Sequence, residues 1–183
     1  MNGWIFIDKP KDISSFKVIQ RLRKILNIKK IGHAGTLDPF ATGILAIAVG
    51  EATKSIHYFN QNKVYKFNVV FGVSKDTDDI TGNTTDKSDI IPTKEAIDQC
   101  LRKFIGKHAQ VPPQYSAVKV NGKRAYKLAR NNQKFLIQSK DVFIKYVECI
   151  EIKNKNEYCF NLECSSGTYV RSIARDLGKM LGT

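Results

Sequence analysis

Apolar positions along this chain change rhythm from a period near two to a period near four, and the changes mark its elements. Trp4-Ile5-Phe6-Ile7 predicts a strand, closed by Asp8-Lys9-Pro10. Ser14 or Ser15 can cap a helix behind it, in which Val18, Leu22, Ile25 and Leu26 share one face. Lys17, Arg21, Arg23 and Lys24 lie mostly off that face. The unbroken run Ile44–Val49 predicts a buried strand, and a short helix follows from about Ala52 to Phe59. Tyr65, Phe67 and Val69 alternate with Lys66 and Asn68, the signature of a half-buried strand. Thr93 can cap a helix running to about Phe104, with Ala96, Ile97, Leu101 and Phe104 inward. Val111-Pro112-Pro113-Gln114 breaks the pattern. A strand is predicted from Tyr115 to Val120, a tight turn at Asn121-Gly122, and a short basic helix over Lys123–Arg130. Strands follow near 142–152 and 158–164. The last helix carries the stripe Val170, Ile173, Ala174 and Leu177. Strands and helices interleave without a strict alternating repeat, so the predicted class is α+β, with one mixed, mostly antiparallel sheet flanked by helices.

Composition narrows what such a domain does. At 183 residues and 42% hydrophobic, the chain has material for one domain with a real core. Its formal net charge of +13 points to a polyanionic partner, because Lys and Arg attract phosphates and release their counterions. No apolar run approaches the ~20 residues of a membrane span. The N-terminus lacks the basic start and apolar stretch of a signal peptide, so a soluble, cytoplasmic protein with no membrane partner is expected. Cys100, Cys149, Cys159 and Cys164 show no Cys-x-x-Cys spacing, and His33, His57 and His108 do not cluster with them, which argues against a zinc site.

The candidate chemistry concentrates in Gly32-His33-Ala34-Gly35-Thr36-Leu37-Asp38-Pro39-Phe40-Ala41-Thr42-Gly43. Asp38 sits between glycines that permit close backbone approach, and Pro39 biases it toward an extended conformation just before a buried strand. A second acidic stretch, Asp76-Thr77-Asp78-Asp79-Ile80-Thr81-Gly82, fails the calcium-loop pattern, because Ile80 and Thr81 stand where an oxygen ligand and Gly belong. It is expected to be a solvated turn. No Walker loop, dinucleotide fingerprint or nucleophilic Ser elbow occurs.

Four blocks remain: Gly3–Ser15 with Asp8-Lys9-Pro10, Gly32–Lys54, the strand carrying Tyr65, and Cys164-Ser165-Ser166-Gly167-Thr168-Tyr169-Val170-Arg171-Ser172-Ile173-Ala174-Arg175-Asp176-Leu177-Gly178. Together with Gln110–Lys119 they resemble, in order and over essentially the whole chain, the bacterial branch of the TruB family of tRNA pseudouridine synthases. The resemblance implies the pseudouridine synthase catalytic fold and isomerisation of uridine in the T loop of tRNA. The C1′–N1 bond breaks, the uracil turns, and C5 joins C1′. No cofactor, no metal and no obligate protein partner are implied; the partner is the tRNA T arm.

By the same resemblance Asp38 is the catalytic carboxylate, Arg171 its charge partner, and Tyr65 the aromatic that stacks on the uracil and is a candidate general base. His33 is the residue that enters the T loop and fills space left by flipped bases. Gly35, Lys54, Tyr169 and Ile173 are further substrate-side positions, although Ile173 also fits the core stripe. Lys9, with Pro10, matches a motif near the pocket that reads first as structural. Lys123, Arg124, Lys127 and Arg130 fall in a basic, thumb-like RNA-binding insertion around 107–150. Family members continue beyond Thr183 into the last strands of the sheet, a pocket leucine and a C-terminal RNA-binding domain. The chain is therefore expected to hold an incomplete catalytic domain spanning 1–183. Two other readings compete: a tRNA-folding chaperone that does not need Asp38 chemistry, and a metal-dependent phosphotransfer or nuclease enzyme using Asp76, Asp78 and Asp79.

Overall fold

A computed structural model describes residues 1–59 and 62–183, which form two compact units, 1–61 and 62–183. In the first unit, strand β1 (Gly3–Lys9) leads into helix α1 (Ser15–Leu26), followed by β2 (Ile31–His33) and β3 (Gly43–Val49). The strands form an antiparallel sheet in the order β1-β3-β2, with Phe6 opposite Ala46 and His33 opposite Ile47. Ser14 caps α1 by accepting from the Lys17 amide, and Asn27 closes it in the left-handed conformation. Ile13, Val18, Ile19, Leu45, Ile47 and Val49 make the core. The inner arc of α1 therefore runs through Ser15, Val18 and Ile19, and Ile25, at its edge, is exposed rather than buried. In β3 Ile44 is 75% exposed while Leu45 through Val49 are buried. The predicted helix after β3 is a 3₁₀ helix, Gly50–Tyr58. Its start at Gly50 (φ +61) is glycine because a Cβ there would collide with the Asn2 side chain and the Met1 carbonyl.

The second unit contains β4 (Lys63–Val70), β5 (Val73–Lys75), β6 (Thr84–Lys87), α2 (Lys94–Leu101), β7 (Gly106–Gln110), β8 (Lys119–Val120), β9 (Lys123–Arg124), α3 (Ala125–Arg130), β10 (Lys140–Ile152), β11 (Glu157–Cys164) and α4 (Val170–Leu181). Its main sheet is antiparallel in the order β4-β11-β10-β7. Ile97, Leu101 and Phe104 from the α2 region and Ile173 and Leu177 from α4 share one core with Ile144, Val147, Phe160 and Leu162 of the sheet. The α4 stripe packs as the sequence predicts, with Val170 and Ala174 partly buried against that core.

Two expectations change. All strand pairings among the described residues are antiparallel, and the two larger sheets belong to different units, so there is no single mixed sheet. The predicted strand over Tyr115–Val120 shrinks to Lys119–Val120. Its earlier carbonyls are taken by other partners: Ser116 accepts from the Tyr126 amide, Val118 from the Ala125 amide, and Ala117 from the Arg124 guanidinium. A strand ladder cannot use the same oxygens. Asn121 (φ +48) and Gly122 (φ +80) then make the tight β8–β9 turn, and the basic helix starts two residues late because Lys123 and Arg124 are in that hairpin.

Candidate active site

Asp38 is half-buried on the loop between β2 and β3, and its neighbours on both sides are fixed. The Leu37 amide donates to Ser15 Oγ at 3.0 Å, and the Leu37 carbonyl accepts from the same hydroxyl at 3.0 Å. One hydroxyl can do both, since it carries a hydrogen and free lone pairs. The Pro39 carbonyl accepts from the Asp12 amide at 2.8 Å and from Lys9 Nζ at 3.2 Å. The Asp38 carbonyl takes the Ala41 amide at 3.1 Å. The backbone that carries the Asp38 carboxylate is thus held on both sides of the residue.

Lys9 is fully buried. Its ammonium donates to the carbonyls of Ile13 (2.8 Å), Pro10 (2.9 Å) and Pro39 (3.2 Å). Those bonds use all three of its hydrogens, so Lys9 braces the Asp38 loop. Burial lowers its pKa, and the charges of Asp12 and Asp38 oppose that shift. In Lys9→Met, Pro39 keeps the Asp12 amide, but the Pro10 and Ile13 carbonyls lose this donor. Each orphaned group costs ~1–3 kcal/mol, offset by no longer burying a charge. The expected net loss is about 2–4 kcal/mol, read as a lower urea midpoint; an unchanged midpoint removes the bracing role.

His33 is half-buried in β2. Desolvation pushes its imidazole below the usual range, with the Gly35 backbone pulling the other way. A lowered folded pKa means that the unfolded chain binds the proton more readily. The His33 contribution to stability is therefore complete above the ordinary imidazole pKa and falls as pH drops through it. His33→Asn should flatten that part of the stability–pH curve. Gly35 is exposed. Lys54 is exposed and pairs with Glu51 at 2.6 Å, which Lys30 also holds at 2.8 Å, so that Glu51 titrates at about 2.

In the second unit, Tyr65 stands on β4 opposite Leu162 and packs partly against the core. Tyr169 caps α4, and Gln110, 1% exposed, brackets its backbone. The Tyr169 amide donates to Gln110 Oε1 at 2.7 Å, and Gln110 Nε2 donates to the Tyr169 carbonyl at 3.2 Å. Arg171, in the first turn of α4, donates to the Thr77 carbonyl (3.1 Å) and the Tyr115 carbonyl (3.3 Å) and lies 3.5 Å from Asp79 Oδ2. Arg175 meets Asp78 Oδ2 at 3.1 Å, Asp176 Oδ1 at 2.9 Å and the Val111 carbonyl at 2.8 Å.

The acidic stretch is thus no solvated turn: it is folded onto α4 by two arginines. Burial still raises the Asp78 pKa against the pull of Arg175. Gly82 closes the stretch, where a Cβ would strike the Asp76 carboxylate and the Thr77 hydroxyl. Ile173, 1% exposed, packs in the core. Lys123, Arg124, Lys127 and Arg130 are exposed on the β8–β9 hairpin and α3. Among the described residues no group of His, Cys, Asp and Glu is arranged to hold a metal, and no helix is long and apolar enough to cross a membrane.

Sequence reading missed Ser15, Gln110, Asp79 and Arg175 as supports. Only Ser15 left a signal, as a hydroxyl on the inner arc of α1.

Residues 23–170 match the model of the TruB family pseudouridylate synthase N-terminal domain. The chain belongs to the TruB family. Over its full length this TruB chain is 50% identical to tRNA pseudouridine synthase B of Ehrlichia chaffeensis and 44% identical to that of a Caulobacter species, strain K31. It spans 62% and 59% of those relatives. Among solved structures, a chain of a Cbf5-Nop10-Gar1 complex superposes with a TM-score of 0.71 at 28% identity, covering 98% of this chain and 44% of that one. An archaeal box H/ACA Nop10-Cbf5 complex shares the fold, with a TM-score of 0.66 at 23% identity.

Proposed function

We propose that the protein isomerises uridine to pseudouridine in the T loop of tRNA, with Asp38 as the catalytic carboxylate. The observation that carries this reading is the fixed backbone on both sides of Asp38, from Ser15 on one side and Asp12 and Lys9 on the other. The names of the relatives and the family model support the reaction class. An ionised carboxylate aimed at one carbon can attack C1′ or assist departure of the uracil. The freed base turns, C5 bonds to C1′, and the hydrogen on C5 leaves as a proton while N1 gains one. Tyr65 stacks on the uracil and accepts the C5 proton; a phenol with an ordinary pKa of ~10 needs a helpful setting for that step. Arg171, fixed by Thr77, Tyr115 and Asp79, has the role of the positive charge that keeps the catalytic carboxylate ionised, and His33 that of filling space left by flipped bases. The exposed basic residues of the hairpin and α3 hold the T arm, in the thumb-like part of 107–150.

Nucleoside mapping of unmodified tRNA incubated with the protein tests the proposal. One pseudouridine in the T loop is expected; none, or one only elsewhere, overturns it. In Ser15→Ala the Leu37 amide and carbonyl both lose this hydroxyl. Turnover should fall about tenfold with KM little changed, since a misplacement of the order of 1 Å costs up to about a hundredfold. An unchanged kcat removes Ser15 from positioning.

A further inference from the structure

The β8–β9 hairpin, α3 and the chain behind it border a shallow, open concavity of about 490 Å³. Its apolar lining comes from Val120, Leu128 and Phe135. Lys123 and Lys134 stand beside these residues, and the cavity has no carboxylate in its lining. The local chain builds it deliberately. The Asn121-Gly122 turn carries Lys123 back across from Val120. After α3 the chain doubles back, with Asn132 in the left-handed conformation and the amides of Asn132 and Gln133 bound to the carbonyls of Ala129 and Leu128. That reversal brings Phe135 to the same cavity as Leu128. The adjoining Leu136 is 91% exposed. A neighbouring cavity of about 370 Å³ shares Lys134 and Phe135 but is lined also by Asp76, whose carboxylate repels an anion.

An aromatic ring and aliphatic side chains beside two ammonium groups, on the exposed face of a chain with net charge +13, complement one chemistry: an unpaired nucleotide, base on the apolar surface and phosphates on the lysines. We propose that this cavity is a subsite for an unpaired nucleotide of the RNA, read by stacking on Phe135 and anchored by Lys123 and Lys134. The inference rests on the RNA-modifying reading above and adds a base contact to a surface otherwise expected to meet phosphates alone.

The test compares two probes of equal length, a fluorescent oligouridylate and its abasic ribose-phosphate counterpart, by anisotropy titration against the protein. Wild type should bind the oligouridylate about tenfold more tightly than the abasic strand, as one stacked base supplies. Phe135→Ala should remove that preference, and Phe135→Leu should retain part of it, with circular dichroism confirming the fold of each. Lys134→Gln should weaken both probes and lower the logarithmic salt slope by roughly 0.7. Equal wild-type binding to the two probes, or a preference that survives Phe135→Ala, overturns the subsite. The isomerase reading is judged separately, by pseudouridine in tRNA. If wild type forms it while the probe comparison fails, the subsite alone is wrong; if no pseudouridine forms, the probe comparison still decides whether this cavity takes a nucleotide.

Discussion

Asp38→Asn should bring pseudouridine formation below detection while leaving tRNA affinity within about twofold, because the amide keeps the shape and loses the charge that the chemistry uses. The bonded backbone on either side of Asp38 makes this substitution unusually clean. Leu37 and Pro39 are held through their own backbone groups by hydrogen bonds to Ser15, Asp12 and Lys9. The loop should keep its course when the carboxylate becomes an amide, so lost turnover reports lost chemistry and not a collapsed loop. Lys9 offers a second readout. Since the Asp38 charge raises the Lys9 pKa, neutralising it should lower that pKa further, visible by NMR of the lysine ε-carbon. Turnover within about tenfold of wild type would remove Asp38 from the catalytic role. If the variant also promotes tRNA folding as wild type does, a chaperone activity exists beside the isomerase and independently of it.

What was legible in the sequence follows from where the information lies. The β3 run and the α4 stripe could be read because burial is periodic and local. The shift within β10 could not. Val142 and Ile144 face the core, then Val147 and Cys149 do, because register breaks after Ile144 insert a residue into the strand. Without that irregularity the alternation would turn Tyr146 and Glu148 inward. The Tyr115–Val118 segment has strand-like composition, yet its carbonyls are claimed by side chains and amides remote from its own alternation. The loop that carries Asp38 stands out in the sequence by its glycines and Pro39. Lys9 could be read as structural, but the part played by Ser15 could not, because it acts across a gap of 22 residues. Gln110 reaches Tyr169 across 59. The acidic stretch was misread for the same reason: its partners, Arg171 and Arg175, lie more than 90 residues away.

That pairing makes Arg171→Lys the second large effect, although the substitution keeps the charge. The Arg171 fork reaches acceptors on separate segments, among them the Thr77 carbonyl, the Tyr115 carbonyl and the Asp79 carboxylate. An ammonium is one compact point charge and cannot reproduce a planar fork that spans them. The side chains involved are nearly buried, Arg171 at 12% and Asp79 at 9% exposure, so unmet partners are poorly rehydrated. Thermal stability should fall only modestly, because Arg175 still ties Asp78 and the Val111 carbonyl to α4. Turnover should fall about a hundredfold or more, a transition-state loss near 2.7 kcal/mol. A double-mutant cycle locates the cause. If Asp79 acts by fixing the guanidinium, Asp79→Asn should cost turnover in wild type and little further in Arg171→Lys. Additive losses would make Asp79 independent of Arg171, and Arg171→Lys at wild-type rate with Asp38 still required would show that a positive charge suffices and the fork is incidental.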